Sequence, residues 1–576
     1  MHADRSSGVD RKVRMTEPRS SDVERELNSC LKALQDRFAA AWQGREKEAL
    51  ISLVRVLDQV AAASLWKLDA HDEASSPKAR MGSAFARMGA GAALRPFLSA
   101  VRDMPGGVPW GPSWLKAQQY SYSYLHVCGE LTFLRRMAAL ERYGLASSER
   151  QGPGCFRIET AGSVPELAMM AATRALRERL TESDERAHSD AEWTRIHARM
   201  ARYVDTPDGW FIRYDNDWEI VSIYRDAAWQ FGRSFLEAEA LPDDVVIGDR
   251  RFGEWKHACE QALGRVLAHM NFARLLQKKV PAINLSDVLT IFATRDDVRS
   301  VWEEAGIPRT RIPATMRALT LEIDGLDDWD NAFETPTPFH VDLGRDFVLL
   351  PCFGALTNPY FALFRHLRQS YRADWDRGVD RREEVFRADL ARLFAEPRFV
   401  VPPRGFRLSR SDGTLLTDID AIIIDRECGS VALVQLKWHD IFGLSLSERE
   451  SRRRNIAKAS EWTAKVAEWV GGRSSQEVLR RLRIDAPASD RPPLLYVIAR
   501  YTARFSGDEG QDTRASWLGW PEVQNAMADA FVASDPLALI PEQVMNHQKR
   551  YESPVLEDVA FRFPGLEVNL RMRVSH

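Results

Sequence analysis

Apolar residues recur at helical spacing through most of the first half of the chain. Leu27, Leu31, Leu34 and Phe38 share one side of segment 21–43, behind a Ser21/Glu24 capping-box pair, and segment 46–65 continues as a second amphipathic helix. The same periodicity predicts helices at 114–143, 165–180, 191–203, 218–238 and 251–277. Clusters of Gly, Pro and polar residues break the pattern at 104–112 (MPGGVPWGP), 147–154 and 205–209. Trp210, Phe211, Ile212 and Tyr214 offer an aromatic binding strip, although apolar residues so clustered more often belong to a core, and the core is the expectation here. From 284 to 371 the pattern becomes mixed, with helices expected at 286–292, 296–304 and 360–371 and a short strand at 347–351. The chain thus divides into a polar, disordered stretch at 1–20, a helical region at 21–283, a mixed connecting region at 284–371 and a different kind of domain at 372–576.

The period changes sharply in TLLTDIDAIIIDRECGSVALVQLKWHD, residues 414–440. Segments 419–424 and 431–437 are short apolar runs rich in β-branched residues, separated by the turn-prone Asp425, Gly429 and Ser430, and predict two adjacent strands. Successive strand residues point to opposite faces, so Gln435 and Lys437 share one face and Asp418 and Asp420 share one. Side-by-side pairing would bring a carboxylate, an amide oxygen and an ammonium to one edge of the sheet. Those groups are what phosphodiester hydrolysis needs.

Segment 381–500 resembles the PD-(D/E)xK nuclease superfamily, and within it the Mrr-like branch in which Gln replaces the Glu of D...ExK. The flanking order agrees: a helix at 381–394 limited by Pro397, a first strand at 399–408, the two strands above, a helix at 445–470 and a buried strand at 494–499. The fold implied is mixed α+β and α/β, a large mainly helical N-terminal region followed by a restriction-endonuclease-like α/β domain with a central mixed sheet, completed or covered by the tail 517–576. The resemblance makes Asp420 and Gln435 ligands of Mg²⁺ or Mn²⁺, with a helix acid that Glu383 fits better than Glu384. Lys437 would position or deprotonate the attacking water, or neutralise charge on the phosphate. Asp418 is expected behind the metal ligands or at the surface rather than as a ligand itself, and His439 is a weaker option as a proton shuttle. Because Gln435 brings no second negative charge, metal affinity should be weak.

The implied activity is cleavage of DNA in restriction, phage defence or DNA repair. The alternatives are an RNA-directed nuclease and a catalytically silent nucleic-acid-binding or scaffold protein. Helix 445–470 carries Ile456, Ala459, Thr463, Val466 and Val470 on an apolar stripe behind a Ser447/Glu450 capping box. Its first turns hold Arg449, Arg452, Arg453, Arg454 and Lys458, which can contact phosphates or form a solvated face paired with Glu448, Glu450 and Glu461.

Composition narrows the remaining possibilities. The chain has 576 residues and a net charge of -3, so contact with nucleic acid must come from local patches. Its six cysteines are scattered without CxxC or zinc-finger spacing, which fits a reducing cytosol and argues against a zinc site. No apolar run approaches the roughly 20 residues of a membrane span, and the polar N-terminus lacks a signal-peptide core, with Met15 an alternative start. No Walker A loop, GxGxxG or kinase signature is present, so duplex unwinding would need a helicase or other defence-system partner.

Overall fold

The computed structural model describes residues 21–66, 77–162, 164–182, 188–233, 235–321, 323, 326, 339–356, 358–410, 412–440, 445–507, 511–551 and 555–574. The expected disorder at 1–20 lies outside them.

Helices Asp22–Ala41, Glu46–Leu65, Pro77–Met88, Ala90–Val101 and Leu115–Ala139 pack around Leu27, Phe38, Leu57, Phe97 and Leu125. Glu46–Leu65 is buried on nearly every side, as expected for a helix enclosed by others. Ser21 caps the first helix by position but not through its side chain, and Glu24 pairs instead with Arg142. A second core surrounds Phe252–Lys279, against which Asp190–Tyr203, Trp218–Arg233 and Tyr360–Ser370 pack. The helices at 77–88 and 90–101 have no counterpart in the sequence reading; the second holds Pro96 in its interior.

Three expectations are corrected here. Segment 147–154, read as a break, is part of a hairpin, Ala146–Gly152 with Cys155–Thr160. The expected helix 286–292 is a short helix, Leu285–Leu289, followed by strand Ile291–Thr294, which pairs with Phe347–Leu350. The tail does not stay with the last domain: Val555–Phe563 and Leu566–Val574 form a hairpin whose second strand runs parallel to Cys155–Thr160, completing a four-stranded sheet there.

The C-terminal module contains α1 (Arg382–Leu393), β1 (Phe399–Val400), β2 (Phe406–Ser409), β3 (Leu415–Ile419), β4 (Ala421–Asp425), β5 (Val431–Lys437), α2 (Leu446–Ala457), α3 (Ala459–Val470), α4 (Ser475–Arg481), β6 (Leu494–Ala499), β7 (Ser516–Gly519), α5 (Trp520–Ala530) and α6 (Pro536–Lys549). Its central sheet has the order β1-β4-β5-β6-β7. The pairs β1·β4 and β4·β5 are antiparallel, whereas β5·β6 and β6·β7 are parallel. Alternation assigns the two faces: Ile423, Ala432 and Val434 pack with Phe386 and Leu390 of α1 and with α5 and α6. Ile422, Ile424 and Leu433 pack with Trp462 and Val466 of α3 and with Leu479 of α4.

Two runs that look continuous in sequence are divided. Segment 399–408 splits into β1 and β2, and the expected strand 419–424 splits at Asp420, with β3 pairing β2 in a separate ribbon and β4 entering the sheet. The helix expected at 445–470 also divides, at Lys458, and its cap is Ser445, whose hydroxyl accepts from the Glu448 N–H, rather than Ser447.

Candidate functional site

Asp420 occupies the corner where the chain leaves the β2·β3 ribbon for the central sheet. Its N–H donates to the Val434 carbonyl at 3.1 Å, which extends the β4·β5 register by one residue and sets Asp420 opposite Gln435. The Asp420 carboxylate accepts from the Leu436 N–H at 2.7 Å and from the Gln435 amide. Asp420 is only 4% exposed. Burial first, and then the charge of Glu383, push its carboxyl up to about 7, opposed by the Leu436 N–H and the Lys437 ammonium. Lys437 ends β5, half-buried; its carbonyl accepts from the Arg500 N–H at 2.8 Å, while its ammonium makes no hydrogen bond or ion pair to a described residue.

Helix α1 supplies the second acid. Glu383 lies in its first turn, close enough to raise the Asp420 pKa, and pairs with Arg387 one turn on. Glu384 instead lies beside Arg381, so the acid on the Asp420 side is Glu383. Arg387 went unnoticed in the sequence. Its Nε donates to the Asp420 carbonyl at 2.5 Å, stapling α1 to the corner of the sheet. An Arg four residues after the acid on a helix that meets a strand end was the available signal.

Asp418 is exposed on β3, where its carbonyl accepts from the Trp462 indole at 2.6 Å. Its charge adds only the last and smallest push on Asp420. Beyond Lys437, Asp440 is held below the usual carboxylate range by Arg382 and Arg368, against burial, and bonds Arg382 at 2.7 Å. His439 is pushed down to about 4 by burial and by Arg452, Lys437 and Arg382, which leaves it neutral and weakly basic at pH 7, a poor proton shuttle.

The basic cluster is dispersed rather than gathered. Arg449 is not free for phosphate: it bonds Glu166 at 2.5 Å and the Ser506 carbonyl at 2.9 Å, tying α2 to the helical region. Arg453 is bidentate to Glu450, which also takes Arg454, so the solvated, self-paired face describes these two. Arg452 lies beside Glu448 and His439, and Lys458 is exposed at the α2·α3 break.

Among the described residues no three His, Cys, Asp or Glu side chains gather as a metal cage. The donors present are the Asp420 and Glu383 carboxylates and the Gln435 amide. A hard dication takes one or two carboxylates and keeps several waters, and a cation between Asp420 and Glu383 would offset the burial and, after it, the Glu383 repulsion that raise the Asp420 pKa. The set therefore fits Mg²⁺ or Mn²⁺, provided Gln435 turns its amide oxygen toward the ion in place of the NH₂ that now meets Asp420. No protein-family model, curated protein or solved structure matches the chain.

Proposed function

We propose that the protein is a metal-dependent nuclease of the PD-(D/E)xK type that hydrolyses DNA phosphodiester bonds with Mg²⁺ or Mn²⁺, in the cytosol, in restriction, phage defence or DNA repair. The observation that carries this reading is the meeting of Asp420, Gln435, Lys437 and Glu383 at one corner of the central sheet, where α1 meets β4 and β5. The bound ion would supply Lewis-acid polarisation of the phosphate and a more acidic water. Asp420 and Glu383 hold the negative pole of the site, and the buried Leu436 N–H fixes the Asp420 oxygen. Lys437, whose ammonium is not committed to a carboxylate, would donate to a phosphate oxygen as the water oxygen–phosphorus bond forms and the bridging P–O bond breaks, the water's proton passing to solvent and the leaving oxygen taking one up from it. Arg387 holds α1 at the distance that keeps Glu383 in play.

One observation favours the silent binding module: the Gln435 NH₂, not its oxygen, faces Asp420, and a third acid is missing from the described set. Gln435→Glu separates the two. If the site holds metal, the added carboxylate tightens Mg²⁺ binding by calorimetry; if Gln435 merely satisfies Asp420, affinity does not change. DNA is proposed over RNA from the family alone, since a metal site reads the phosphodiester and not the sugar.

A further inference from the structure

Trp438 follows Lys437 directly, and its half-buried ring lies between two guanidiniums, Arg500 at 4.6 Å and Arg382 at 5.9 Å from the ring centroid. A ring face attracts a cation most strongly where water is shut out, and these arginines are only 5% and 3% exposed. The Trp438 indole N–H has no partner among the described residues, so the ring faces make the contact. The chain on either side of the ring is held by the same two residues. The Arg500 N–H donates to the Lys437 carbonyl at 2.8 Å, and the Arg382 guanidinium bonds the Asp440 carboxylate at 2.7 Å. The strand end 437–440 is therefore bracketed by two buried cations, with Lys437 at its first position.

Both cations are anchored outside the module, at consecutive residues of the helical region. Arg500 pairs with Glu239, the last residue of the 3-10 turn Leu236–Glu239, and with Asp389 of α1 at 2.5 Å. Arg382 donates from Nε to the Ala240 carbonyl at 2.9 Å. Burial opposes the Arg500 charge, yet Glu239 first and Asp389 second outweigh it and hold the guanidinium above its ordinary value. The two partners are unequal in their surroundings: the Glu239 side chain is 60% exposed. Water can solvate that carboxylate if it lets go, whereas the arginine stays enclosed under Trp438.

The segment does not meet α1 through packed apolar surface. A cavity of about 590 Å³ lies there, lined by Glu239 and Leu241 from the helical region and by Val385, Asp389 and Trp438 from the module. Across that gap the coupling is polar, which suits parts that can shift relative to each other. An ion pair with so exposed an acid ordinarily contributes little to stability. Its place gives it leverage, because the next residue holds the second arginine and one short segment therefore governs both sides of Trp438.

We propose that Arg500 and Arg382 are positioning residues for Lys437, and that Glu239 and Ala240 make the helical region their common anchor, so that a shift of this one segment presents or withdraws the lysine. The proposal rests on the nuclease reading for what Lys437 does, and not for how it is held. Its test combines hydrogen–deuterium exchange with cleavage, on the full chain. Glu239→Gln removes the anchoring charge and Glu239→Lys reverses it; the side chain is exposed, so circular dichroism should show both variants folded. In EDTA, amide exchange at Arg500 and across 437–440 should quicken about two- to fivefold in Glu239→Gln, the weight of an exposed ion pair. In Glu239→Lys, where a like charge meets a buried cation, it should quicken at least about tenfold. Exchange across 421–425 should match the wild type in both. With Mg²⁺, kcat for DNA should fall by about the same factors while KM stays put. Unchanged exchange at Arg500 and 437–440 in Glu239→Lys overturns the proposal whether or not the protein cleaves DNA. Quickened exchange with an unchanged kcat overturns it too, since the contact would then brace the fold without placing the lysine. Quickened exchange in a protein whose wild type cleaves nothing supports the anchor and removes the nuclease reading alone.

Discussion

A carboxylate buried beside another carboxylate, as Asp420 is beside Glu383, works against the fold until a cation or a proton neutralises it. The unfolded Asp titrates near 3.9, while in the folded protein it is pushed up to about 7, so between these values the folded state holds a proton the unfolded chain lacks. Stability from this residue therefore falls as pH rises through that window, and the full cost is present above about 7. Asp420→Asn keeps the shape and can accept the Leu436 N–H. At pH 8 in EDTA it should be more stable than the wild type by on the order of 1 kcal/mol, read by thermal denaturation; a lowered melting temperature contradicts the assignment. The same proton competes with metal. Mg²⁺ affinity measured by calorimetry should fall about tenfold for each pH unit below 7 and level off above it. A pH-independent affinity would remove Asp420 from the ligand set.

At the level of elements, the module is closed by a buried ion pair that no pattern announces. Arg398, just ahead of β1, meets the fully buried Asp425 at the end of β4 at 3.1 and 3.0 Å, and reaches the carbonyls of Phe531 and Ala533 after α5. Arg398→Ala leaves that carboxylate unpaired in the interior and should cost about 3–5 kcal/mol in urea unfolding; a loss under 1 kcal/mol would mean that the pair is solvated. The elements most legible in sequence were those with one dominant signal. β6 is an unbroken apolar run after prolines, and it occupies 494–499 as expected. The parity of Gln435 and Lys437 was readable because strand alternation is local. Other features depend on partners far along the chain. A strand that changes partner at Asp420 keeps the same apolar spelling on both sides, so the break was invisible. The Ala146–Gly152 strand, ASSERQG, lacks β-branched residues and takes its pairing from Cys155–Thr160, itself extended by the tail. Arg449 looked like a phosphate ligand until Glu166 was placed against it. The choice of Glu383 over Glu384 needed the orientation of α1 on the sheet.

Across the whole molecule, the helical region and the module are bound to each other around the candidate site. Arg382 donates to the Ala240 carbonyl and to Asp440, and Arg500 bridges Glu239 and Asp389 while lying 4.6 Å from the Trp438 ring, directly after Lys437. The tail returns to the helical region as well: the final hairpin completes the sheet begun at Ala146–Gly152 and buries Phe561, Val568 and Leu570 in the helical core. Ending the chain after Tyr551 would leave an isolated two-stranded hairpin, which is marginal in water. That truncation should lower the melting temperature and expose apolar surface to a hydrophobic dye; unchanged melting would make the tail dispensable. No described helix is long and apolar enough to cross a membrane, and all six cysteines are unpaired. The central claim is chemical, and the measurement closest to it is cleavage of duplex DNA, single-stranded DNA and RNA by the full chain with Mg²⁺ or Mn²⁺. Cleavage of DNA by the wild type, abolished by EDTA and reduced at least about a hundredfold by Asp420→Ala and Lys437→Ala with folding retained, is the predicted result. Wild-type protein inert toward every substrate with both metals, or activity that persists in Asp420→Ala, would contradict it.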